Sequence, residues 1–150
     1  MHPADAPAPP AGWQLDLAEA PDEALRQAIA RPLIDFNTAT AGPSGHRTLA
    51  LAVRDAGGAV RGGLWGATAY GWLYTQMLAV PAAARGQGLG RTLMLAAEAE
   101  ARRRGCHHAW VDTQFGARGF YERLGYAAFG ELPDCPPGFT RTFLRKSLLP

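Results

Sequence analysis

Residues 85–94, RGQGLGRTLM, set three glycines and two arginines between the apolar run MLAV at 77–80 and a helix-forming stretch. A strand that turns through glycines into a helix gathers free backbone N–H groups and the positive end of the helix dipole at one point. That point suits an anion, phosphate above all. Arg85 and Arg91 can add charge-assisted contacts. The spacing excludes two familiar nucleotide loops. A Walker loop needs a lysine before Ser or Thr, and this stretch has none. A Rossmann fingerprint needs G-x-G-x-x-G near the start of a parallel sheet, whereas Gly86, Gly88 and Gly90 read G-x-G-x-G after several hairpin-like strands. On the pattern alone, a phosphate cradle and a loop that simply needs glycine both stay open.

The flanking segments predict a mixed α/β sheet. Residues 13–17 read as a short first strand. Pro21 and Asp22 suit a helix start, and Leu25, Ile29 and Leu33 continue a helical stripe that Pro32 should split into two short helices. RTLALAVRD, AVRGGLWGATAY and GWLYTQMLAV read as an antiparallel meander. Residues 88–104 read as a helix with Leu89, Leu93, Ala96 and Ala97 on its apolar face. Glu98–Arg102 and Glu100–Arg104 form i,i+4 pairs, and Gly105 is the stop. HHAWVDT is a strand, ARGFYERLG a short helix, and YAAFGEL and RTFLRKSL are closing strands. The predicted order is β-α-α-β-β-β-α-β-α-β-β.

The 150 residues fit one domain over 13–150, with the Pro- and Ala-rich residues 1–12 as a disordered tail. That tail lacks the basic and apolar regions of a signal peptide, and no run reaches the ~20 apolar residues of a membrane helix. A net charge of +2 argues against a nucleic-acid partner. Cys106 and Cys135 read as free thiols in a reducing cytoplasm. Adjacent His107 and His108 point to opposite faces of a strand, which suits no shared metal. The arginines at 102–104 read as a solvated helix end, with a 3′-phosphate contact as the alternative.

R-x-x-G-x-G, Arg85 to Gly90, resembles the pyrophosphate-binding motif of the GNAT acetyltransferases. MLAV resembles the strand beside the pantetheine arm in that family, and FYERLGY, about thirty residues on, is similar to its signature F-Y-x-x-x-G-[FY]. The resemblance covers about residues 13–147 and implies a twisted, mostly antiparallel GNAT sheet flanked by helices. It implies acetyl-CoA as donor and direct transfer to an amine, in a small molecule or a protein, with no metal, membrane or nucleic-acid partner. Homodimers are frequent in the family. Arg85, Gly86, Gln87, Gly88, Leu89, Gly90 and Arg91 would hold the pyrophosphate, and the backbone of Met77, Leu78 and Val80 the pantetheine. Tyr121 would be the general acid that protonates the departing thiolate. Gln76 stands where many members carry a carboxylate, so a water chain to Asp112 or Tyr74 would substitute as base, or the amine would arrive already neutral. Trp72, Tyr74 and Gln76 would form acceptor walls. The rival reading is an acyl-CoA-binding regulatory module that kept the fold and little catalysis, with Gln76 in its favour and Tyr121 against it.

Overall fold

Asp22 starts the first helix as its sequence suggests. Its carboxylate accepts the Leu25 N–H at 2.8 Å, and helix α1 then runs over Glu23–Ala41. The computed structural model describes residues 7–150, so half of the expected tail lies outside the described residues. Two expectations fail here. Residues 13–17 form no strand, because their period-two pattern makes one only beside a hydrogen-bonded neighbour. Pro32 does not split the helix: none of the residues of α1 is buried, so water can take the carbonyl that proline leaves unbonded.

The chain divides into two compact units, up to Pro43 and from Ser44 onward. In the second, strands β1 (Arg47–Arg54), β2 (Val60–Ala69) and β3 (Trp72–Ala79) form the meander. Helix α2 (Leu89–Arg103), β4 (His108–Thr113), α3 (Arg118–Arg123), β5 (Ala127–Leu132) and β6 (Arg141–Ser147) follow. The six-stranded sheet has the order β1-β2-β3-β4-β6-β5. Among the described residues, only the β3–β4 contact is parallel. Mixed α/β architecture therefore holds, with β6 inserted between β4 and β5.

One face of the sheet carries the core. Leu49, Leu64, Leu73, Ala109, Val111 and Leu144 share one buried cluster with Leu93, Met94, Ala97 and Ala101 of α2, and with Tyr121 and Leu124 at α3. Alternate residues of the same strands, among them Trp65, Tyr74, Trp110 and Asp112, point the other way and stay half-buried or exposed. Helix α2 is rotated from the expected stripe. Ala96 is exposed, whereas Met94 and Glu98 are buried. In an Ala-rich helix, periodicity alone leaves the buried arc loosely defined. Among the described residues, no helix is long and apolar enough to cross a membrane.

Candidate active site

The parallel contact in the middle of the sheet is short. β3 and β4 pair only from Trp72–His108 to Thr75–Val111. Beyond that, β3 follows β2 as far as Ala79, and β4 follows β6 as far as Thr113. A wedge therefore opens between residues 76–79 and 112–113, with one edge of β3 unpaired. Gln76 marks the point of divergence. Trp65 faces Met77 and Gly66 faces Thr75, so Gln76 is the extra residue of a β-bulge that bends the strand away. A Cβ on Gly66 would run into the Tyr74 carbonyl oxygen, so only glycine lets the strands approach there.

The chain leaves β3 through a 3-10 turn at Ala82–Ala84 and enters α2 over the glycines. Gly88 takes φ +81°, the left-handed region, as the residue before the helix. The first intrahelical bond runs from the Thr92 N–H to the Gly88 carbonyl at 3.0 Å. The N–H groups of Leu89, Gly90 and Arg91 thus have no acceptor within the helix. They open on a cleft of about 540 Å³ lined by Val80, Arg85, Gly86, Gly88, Leu89, Gly90, Arg91, Phe120 and Arg123, among others. A second hollow with Leu78, Val80, Gly90 and Phe120 on its walls continues it toward β3. A Cβ on Gly90 would press against Phe120 at 3.2 Å, which explains glycine at that turn of the helix. Gln87 faces elsewhere, its side-chain amide donating to the Ala83 carbonyl at 3.0 Å. Arg85 donates through Nε to the Val80 carbonyl at 3.3 Å and still lines the cleft.

Tyr121 sits on α3 and is 7 % exposed. Burial pushes its hydroxyl above the ordinary tyrosine range, and the Asp112 charge adds to the rise. Asp112 lies on the opposite face of the sheet at the mouth of the wedge. Its carboxylate accepts from Tyr74 Oη at 3.2 Å and from Arg141 Nε at 2.7 Å, with Arg141 Nη2 as a further donor. Asp112 therefore caps no helix or turn; an arginine and a phenol occupy it. Burial first, and then Asp112, raises the Tyr74 hydroxyl. Tyr74 stacks on Trp110 with centroids 4.0 Å apart, and Trp72 stacks on His108 at 4.6 Å. Gln76 is exposed beside them. Met77 projects from this same face and is 55 % exposed, leaving only its backbone to act in the wedge.

Three residues escaped the sequence reading. Arg123 was hidden within a motif valued for its tyrosine. Arg141 lies 29 positions from its partner Asp112, beyond any local pattern. Thr75, at the last β3–β4 pair, has a buried hydroxyl with no hydrogen-bond partner among the described residues. The arginines at 102–104 belong to the far end of α2, 15 residues and about 22 Å from the cleft at ~1.5 Å per residue. Arg104 is tied there to the carbonyls of Arg47 and Thr48, so the alternative of a 3′-phosphate contact falls.

Comparison with known proteins is consistent with this geometry. The model of the acetyltransferase (GNAT) family matches residues 13–126. An acetyltransferase of Agrobacterium fabrum is 43% identical over 131 residues, covering 87% of this chain and 96% of that protein. A blasticidin-S acetyltransferase of Streptomyces morookaense is 46% identical over 93 residues, covering 61% of this chain and 68% of that one. A crystal structure of an acetyltransferase from Agrobacterium tumefaciens superimposes with a TM-score of 0.85 at 41% identity, covering 90% of this chain and 99% of the other.

Proposed function

The chain belongs to the GNAT acetyltransferase family, and from that premise we propose that it moves acetyl from acetyl-CoA directly to a primary amine. The observation that carries this reading is the wedge in the sheet meeting the bare N-terminus of α2, with Tyr121 near enough to Asp112 to feel its charge. We take residues 13–150 as the acetyltransferase domain and the cytoplasm as its place of action. Membranes and nucleic acids have no part in this reading, no metal is needed, and a homodimer fits the family.

Members of this family take acetyl-CoA as donor, and the residues present fit it. The N–H groups across Gln87 to Arg91, with Arg85, Arg91 and the additional Arg123, supply donors and positive charge for a pyrophosphate. The unpaired edge of β3 at Met77 and Leu78, with Val80 just beyond the strand, offers backbone groups to an extended arm, as one strand does to another. The orphaned Thr75 hydroxyl fits a polar ligand group at the apex of the wedge, since leaving such a group unbonded costs about 1–3 kcal/mol.

Bound acetyl-CoA supplies a thioester whose sulfur leaves as a thiolate. Tyr121 holds its proton through neutral and mildly alkaline pH and delivers it from Oη to that sulfur. The acceptor approaches on the other face, where Trp72, Tyr74 and Gln76 form walls. Asp112, engaged by Arg141 and Tyr74, acts on the amine through water. Blasticidin S, the antibiotic in the name of one relative, is the first acceptor to try. The test is thiol release from acetyl-CoA with blasticidin S, lysine amide, spermidine and a peptide with a free α-amine. Transfer to at least one is expected. Tyr121→Phe should then lower turnover about 10²-fold or more and leave acetyl-CoA affinity within about twofold. Full turnover in that variant would remove Tyr121 as the acid.

A further inference from the structure

Glu98 is the least expected residue in the core. It lies in the middle of α2, is 0% exposed, and carries a carboxylate. Oε2 accepts from Lys146 Nζ of β6 at 2.7 Å, and Oε1 accepts from the Tyr126 hydroxyl at 3.1 Å. Arg102 approaches at 3.8 Å from one helical turn on. A buried ion pair of this kind is weak support for stability, because apolar side chains of similar volume often serve as well or better. Its presence calls for another reason, and Tyr126 supplies one.

Tyr126 follows α3 after Leu124 and Gly125. Its backbone N–H donates to the Tyr121 carbonyl at 3.1 Å, and its ring meets the Tyr121 ring edge-to-face, centroids 5.9 Å apart. α3 is only six residues long, too short to hold its own shape. The tyrosine on it is therefore fixed by what its backbone and ring touch. Lys146 also lies 5.5 Å from the centroid of the Tyr126 ring and packs beside Gly125. The chain α2–Glu98–Tyr126–Tyr121 thus joins the helix whose first turn faces the cleft to the Tyr121 ring.

We propose that Glu98 is a positioning residue for the transfer reaction, its carboxylate fixing the Tyr126 hydroxyl so that Tyr126 holds Tyr121 in one orientation at the wedge. The proposal rests on the reading of Tyr121 as proton donor. What Tyr126 needs is an acceptor at position 98, and the charge there serves to balance Lys146.

The experiment uses CoA-bound protein labelled with [ζ-13C]tyrosine, whose four tyrosine lines are assigned by Tyr→Phe replacement. Wild type should give one sharp Tyr121 line. Tyr126→Phe should broaden, split or shift it. The double variant Glu98→Ala/Lys146→Met, neutral but without an acceptor, should do the same. Glu98→Gln/Lys146→Met, which restores an acceptor without charge, should return the line to its wild-type position and width. Thermal unfolding and CoA stoichiometry, measured on each, confirm that folded protein is compared. A Tyr121 line unchanged by Tyr126→Phe would overturn the proposal, and so would identical spectra for the two double variants. Failure of the acid assignment shows separately, as full turnover in Tyr121→Phe.

Discussion

The two ends of α2 are built in opposite ways. At its C-terminal end, Arg104 donates to Glu100 at 2.7 Å and to the Arg47 and Thr48 carbonyls and the Thr68 hydroxyl at 3.2 Å, while Arg102 donates to the Leu148 carbonyl at 2.9 Å. Glu100 is drawn down to about 2 by Arg103 and Arg104. At the N-terminal end there is no capping side chain, only Gly88 in a left-handed conformation and a turn of unbonded N–H groups facing a cleft. One end is fastened to the sheet and the other is left without a capping side chain. A helix so arranged can present donors to an anion without reorganising when it binds.

Substitutions at the two ends should therefore separate affinity from stability. The largest effect on the donor is expected from Gly88→Val. A β-branched residue at φ +81° strains or moves the turn, and acetyl-CoA affinity should fall about thirtyfold, roughly 2 kcal/mol, by calorimetry. At the fastened end, Arg104→Met should cost about 2 kcal/mol of stability and lower Tm by about 6 °C in a thermal melt, with acetyl-CoA affinity within twofold of wild type. Equal losses of affinity at both ends would erase the distinction. A smaller effect follows from Arg91→Gln, which keeps the N–H groups and removes a screened charge. Affinity should drop about threefold at low salt, and the difference should shrink as salt is added.

Asp112→Asn sharpens the picture away from either end. Tyr121 donates when neutral, and the Asp112 charge is the second cause of its raised value, after burial. Removing that charge lets the phenol ionise at lower pH, and Arg141, freed of its partner, pulls the same way. The alkaline limb of turnover should move down by less than about one pH unit, because burial remains. A limb that stays in place or moves up would contradict the link between the two residues.

Much of this contrast was legible in the residues. Gly88 and Gly105 bound α2 within a residue or two, and Glu100–Arg104 pair as their spacing suggests. The hairpins, α3 and the closing strands fall where turn residues and apolar runs place them. What escaped depends on long-range partners. The wedge needs Gly66 opposite the Gln76 bulge, two strands whose separate sequences carry no sign of it. Glu98 reads as a surface partner of Arg102, yet Lys146 and Tyr126, far along the chain, draw it into the core. Asp112 reads as a water-mediated base, and nothing near it in sequence shows that Arg141 closes on it.

The central claim is that the bare end of α2 holds the donor's pyrophosphate. Calorimetric titration of the wild-type protein with acetyl-CoA, and then with NAD and ATP, tests it most directly. The account predicts selective, micromolar-range binding of acetyl-CoA, one per chain. No binding, or equal binding of all three, would contradict it and leave the glycines of 86–90 as a turn with no ligand.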